Sequence, residues 1–71
     1  MRPDLLPITI EGKLDHIIEE AGEVIKAYIK RKRFGSLATD PFTGTKYDND
    51  ADLRNEILDL RNAIAAYLKV A

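Results

Sequence analysis

Residues 16–26 read HIIEEAGEVIK, and residues 55–62 read NEILDLRN. In both stretches aliphatic residues return every three or four positions, with acids at the margin of the aliphatic stripe. Around the first stretch, Leu14, Ile17, Ile18, Ala21, Val24, Ile25, Tyr28 and Ile29 keep the i, i+3, i+4, i+7 spacing of an amphipathic helix. The spacing predicts a helix over 12–34. Lys30, Arg31, Lys32 and Arg33 close it with charge that suits a helix C-terminus, and Gly35 stands where a helix commonly ends. Around the second stretch, Leu53, Ile57, Leu60, Ile64, Tyr67 and Leu68 predict a helix over 51–70. Leu58 and Ala65 sit off that stripe and suggest a second buried contact. Tyr28 and Tyr67 fall within the stripes and read as core.

Outward from the helices the chain changes character. Residues 1–11 contain Pro3 and Pro7 and read as an extended arm. Leu5, Leu6, Ile8 and Ile10 would lay that arm against a core. Residues 35–50, GSLATDPFTGTKYDND, are rich in turn signals and read as a long, functional loop. Asp48, Asn49 or Asp50 can cap the helix that follows. The run Asp48-Asn49-Asp50-Ala51-Asp52 has the outline of a calcium loop, but Leu53 stands where such a loop needs glycine. A helix cap is the better reading.

With 71 residues the chain forms one domain, 1–71, whose isolated core is small. Small folds compensate with disulfides, a metal or association. There is no cysteine, which excludes disulfides and thiolate metal sites and fits a cytoplasmic setting. The formal net charge of −1 argues against a general nucleic-acid binder, which carries a basic surplus. No apolar run has the length of a membrane span, and the N-terminus lacks the apolar region of a signal peptide. The expected architecture is all-α: a two-helix hairpin with a short N-terminal arm. Two such hairpins would pair into a four-helix-bundle-type oligomer, a homodimer or homotetramer.

Each residue of a helix advances by about 100°. On the first helix Glu20 and Glu23 then fall on one flank of the stripe, and Glu19 points further toward solvent. On the second, Glu56 presses against the stripe and Asp59 continues its flank. Antiparallel packing lets Glu20, Glu23, Glu56 and Asp59 converge. Carboxylates gathered at a core margin raise one another's pKa, and a divalent cation removes the conflict. Oxygen-only ligands favour Mg2+, with Mn2+ possible, and magnesium commonly bridges to phosphates. Taken separately, each acid also reads as an ordinary solvated helix face, with Glu20 paired to Lys13 or Lys26.

The pattern EExxE followed by ExxD resembles the MazG-like, all-α nucleoside triphosphate pyrophosphohydrolases. It stands here as Glu19-Glu20-Ala21-Gly22-Glu23 and Glu56-Ile57-Leu58-Asp59, within EAGEVIKA and EILDLRNAI. The resemblance covers about residues 13–70. It implies magnesium-dependent hydrolysis of a nucleoside triphosphate to the monophosphate and pyrophosphate. It implies Glu20, Glu23, Glu56 and Asp59 as metal ligands, with Glu19 orienting the attacking water. The family pattern carries a fuller helix before the first motif and another after the second. Neighbouring subunits would supply those here. The alternative is a non-catalytic helical interaction module, or a nucleotide binder, that retains the acidic motif.

Other residues each carry two readings. Lys26 and Lys30 lie on the Glu23 side and could meet substrate phosphates, or serve as salt-bridge partners. Arg54 and Arg61 suit phosphate geometry. Asn62, one turn beyond Asp59, could bond a base or sugar, or be an ordinary polar position. Phe42 and Tyr47 could stack on a base or anchor the loop. His16, a turn before Glu20, reads as a partly exposed helix residue rather than a ligand.

Overall fold

The computed structural model describes residues 9–70. Helix α1 spans Ile10–Phe34 and helix α2 spans Asn49–Val70. Between them lie two short strands, β1 at Leu37–Thr39 and β2 at Lys46–Asp48. The expected arm lies outside the described residues, except for its last three positions.

α1 begins two residues earlier than its apolar period suggests. The Thr9 hydroxyl accepts from the Gly12 N–H at 2.9 Å, which satisfies one of the free amides of the first turn. Ile10 and Glu11 are therefore helical rather than part of an arm. α1 ends at Gly35, where φ is 89° and the N–H bonds back to the Arg31 carbonyl at 2.7 Å. A side chain would be strained there, so this glycine is a true helix stop.

The segment 35–50 is not a plain loop. β1 and β2 pair antiparallel, with Leu37 opposite Asp48, Ala38 opposite Tyr47 and Thr39 opposite Lys46. Asp40 builds the turn. Its carboxylate accepts from the Phe42 N–H at 2.8 Å, and its carbonyl accepts from the Gly44 N–H at 2.8 Å. Gly44 takes φ 73°, the left-handed region a tight reversal requires. The turn signals of the sequence thus mark one tip, not a long irregular run. α2 starts at Asn49, two residues before the expected 51, because the Asp48 carboxylate accepts from the Ala51 N–H at 3.0 Å and caps it.

The two helices form a hairpin, and at its closed end they are clasped. The Asn49 side-chain amide donates to the Gly35 carbonyl at 2.9 Å, and the Asn49 N–H donates to the Ser36 carbonyl at 2.7 Å. Arg31 pairs with Asp50 across the same gap. The pairing raises the Arg31 pKa and lowers that of Asp50, chiefly through their shared hydrogen bond.

Helix contacts use only part of each stripe. On α2 the positions turned inward are Asn49, Leu53, Glu56, Leu60, Ala63 and Tyr67. On α1 they include His16, Ile17, Glu20, Val24, Ala27 and Arg31. The rest of the apolar surface is bare. Ile18 is 72% exposed, Ile25 59% and Leu68 65%. Ile29, Ile57 and Ile64 are exposed too, as are Tyr28, Leu58 and Ala65, which the sequence placed in a core. Ala63 is the single buried hydrophobic residue among those described. With a smallest dimension of 14 Å, the hairpin is one layer of helices, and a core needs two.

Candidate functional site

The two sides of this layer differ. On each helix the bare aliphatic stripe lies roughly 90–120° ahead of the inward face, and the acids lie at or behind that face. Antiparallel helices turn in opposite senses when viewed from one end. Both bare stripes therefore share one side of the hairpin, and the acids share the other.

Carboxylate oxygens of Glu20, Glu56 and Asp59 all lie within 4.8 Å of one another. Glu20 and Glu56 are half-buried between the helices, and Asp59 is exposed at the rim. Burial pushes the Glu56 carboxyl above its ordinary value, and the charges of Asp59, Glu23 and Glu20 push it the same way. Glu23, expected as a fourth ligand, stands outside this trio and faces a neighbouring cleft with Glu56. Glu19 is exposed and lies outside the trio as well. His16 is the contact that sequence spacing undervalued. Its Nε2 lies 3.3 Å from a Glu20 carboxylate oxygen, and both side chains are largely covered. The i, i+4 spacing of His16 and Glu20 was the available signal. No lysine pairs with Glu20 among the described residues.

Three carboxylate oxygens are the donor type a hard divalent cation takes, and a closer approach of the three would let them share one, with water or substrate oxygens in its remaining positions. The pKa direction of Glu56 shows the matching electrostatic conflict in the protein alone. The donor set therefore fits Mg2+ or Mn2+.

A cleft of about 240 Å³ runs from Glu56, the one member of the trio that lines it, toward the closed end of the hairpin. Glu23, Lys26 and Lys30 line it from α1, and Asn49, Asp52 and Glu56 line it from α2. Both lysines thus reach the same cleft as the acids. Arg61 and Asn62 are exposed on α2 and do not line it. Lys30 also borders a second, more apolar pocket of about 350 Å³ with Phe34, Pro41, Phe42 and Tyr47. Its ammonium lies 4.6 Å from the centre of the Tyr47 ring.

From the sequence Asn49 reads only as a helix cap. It is 1% exposed, lines the first cleft, and its Oδ1 has no hydrogen-bond partner. No signal in the sequence marks this burial, because it comes with the Gly35 and Ser36 carbonyls that the fold brings to the helix start.

Comparisons with protein-family models, with curated proteins and with solved structures find no match. No helix among the described residues is long and apolar enough to cross a membrane.

Proposed function

We propose that this chain is a magnesium-dependent nucleoside triphosphate pyrophosphohydrolase, acting as a homo-oligomer. The observation that carries the reading is the convergence of Glu20, Glu56 and Asp59 from two helices, in the pattern that resembles the MazG-like enzymes. These three would hold the cation, with Glu23 at its margin. When bound, magnesium or manganese supplies neutralising charge and alignment for in-line attack at the α-phosphorus.

The protein groups divide the remaining work. Lys26 and Lys30 offer ammonium groups to phosphate oxygens along the cleft. His16 holds the Glu20 carboxylate at 3.3 Å, which orients it. The assignment of Glu19 to positioning the water rests on the resemblance. The assignments of Arg61 and Asn62 to substrate contact need a partner subunit or a larger ligand to bring them to the cleft. The bare aliphatic side supports the homo-oligomer, since pairing two such faces would build the second layer of a four-helix bundle.

The test is pyrophosphate release from a panel of nucleoside triphosphates, with magnesium and with chelator. Asp59→Asn is expected to lower turnover about a hundredfold, equivalent to about 3 kcal/mol of lost transition-state stabilisation. A folded sample that releases no pyrophosphate from any triphosphate would sink the enzyme reading. It would leave the non-catalytic module or nucleotide binder.

A further inference from the structure

The first cleft contains a buried acceptor that the chain itself leaves unsatisfied. Asn49 Oδ1 is a buried acceptor without a donor, and the side chain cannot simply flip. Its amide nitrogen is committed to the Gly35 carbonyl at 2.9 Å, which fixes the oxygen on the other side. Phosphate oxygens near neutral pH act mainly as acceptors, so the triphosphate is a poor partner for this atom. Lys26 and Lys30 line the same cleft and suit the phosphates instead. A ligand group that donates a hydrogen bond, such as a hydroxyl, would complete Asn49.

Past Asn49 the surface changes from charged to aromatic. The second pocket shares Lys30 with the cleft and presents Phe34, Phe42 and Tyr47. Phe42 is 95% exposed, so its ring lacks a covering partner within the chain. Along α2, Asn49 lies about two turns, or about 10.5 Å, from Glu56. That span is comparable with the length of a nucleotide.

We infer that the β-hairpin end of the molecule binds the nucleoside part of the ligand, with a sugar hydroxyl donating to Asn49 and the base lying against Tyr47 and Phe42. This deepens the hydrolase reading and rests on it for the ligand class. The phosphates then point along Lys30 and Lys26 toward Glu20, Glu56 and Asp59. Base stacking on aromatic rings tolerates different bases, so this arrangement favours broad rather than narrow base choice.

The test uses the full chain in magnesium, with NMR signals of the Asn49 side-chain amide and the Tyr47 ring as readouts. The probes are the four nucleoside monophosphates (adenosine, guanosine, cytidine and thymidine) and inorganic triphosphate. The monophosphates are expected to shift both signals, and inorganic triphosphate to shift Tyr47 less, since it meets only the Lys30 ammonium beside that ring. Tyr47→Ala, at an exposed position, is expected to weaken monophosphate binding about tenfold and inorganic triphosphate binding much less. Asn49→Ala is a poorer first variant, because it also removes the bond to Gly35.

Pyrophosphate release measured on the same samples separates the two ideas. Shifts at Asn49 and Tyr47 without release support the nucleoside site and sink the hydrolase. Release with both signals unmoved overturns the nucleoside site and leaves the hydrolase standing. Neither binding nor release overturns both.

Discussion

The two sides of the hairpin have the same helices and opposite chemistry. One side carries Ile18, Ile25, Ile57, Ile64 and Leu68 in the open. The other carries Glu20, Glu23, Glu56 and Asp59, with two lysines beyond them. The acidic side already has the contacts a site needs, because both helices contribute to it within one chain. The aliphatic side does not, because burying it requires a surface that one layer of helices cannot offer. Association through the aliphatic side would leave the acidic cleft open to a small ligand. The difference keeps acidic and aliphatic surface apart: each takes one face of the same layer.

The comparison breaks most completely on the aliphatic side. Ile25→Asp combined with Ile64→Asp would place uncompensated charge in any paired interface, at a cost on the order of 3–5 kcal/mol. Light scattering should then show a monomer, with lower thermal stability at all concentrations. An assembly unchanged in mass would show that this face is not the one that pairs.

A second change sharpens the acidic side. The Glu56 carboxyl sits above its ordinary value in the folded chain, so the folded state prefers the proton. Without metal, stability should therefore rise as pH falls through the raised value, and level off below the ordinary carboxylate value. A bound cation needs the ionised form, so stabilisation by magnesium should fade across the same window. Glu56→Gln should remove both trends, raise the melting temperature of the metal-free protein at neutral pH, and abolish the gain from magnesium. Melting curves from pH 4 to 8, with magnesium and with chelator, check this. A magnesium effect that survives in the variant would remove Glu56 from the ligand set.

The smallest effect concerns the joint between the sides. Asp48→Ala deletes the cap of α2 and should cost about 1 kcal/mol. For a domain of this size that is a fall of about 4–8 °C in melting temperature. An unchanged melting temperature would mean that the cap is replaced by solvent without loss.

Much of this was legible in the sequence, for identifiable reasons. The 3.6-residue period of Leu14 to Ile29 and of Leu53 to Leu68 specifies helices whatever they pack against. The Glu20, Glu56 and Asp59 placement followed from the same period. The partial exposure of His16 was legible too, but its contact with Glu20 was not, since spacing alone does not say which side chains turn toward each other. Nor could periodicity reveal that Tyr28 stays exposed, because a stripe does not say which of its positions meet the neighbouring helix. The strands at Leu37–Thr39 and Lys46–Asp48 were hidden by their brevity, and the contacts of Asn49 with Gly35 and Ser36 exist only once the chain has reversed.

The clasp at Gly35, Ser36 and Asn49 also acts as a ruler. Glu20 lies about three helical turns from Arg31, and Glu56 lies about two turns from Asn49. Both spans are close to whole turns, so the acids and the clasp point the same way. One residue inserted between Glu23 and Arg31 would keep the clasp and rotate Glu20 by about 100° away from Glu56 and Asp59. Residues added at the tip, between Asp40 and Gly44, would change neither span. For this molecule an insertion matters by the phase it imposes on two helices, not by its length.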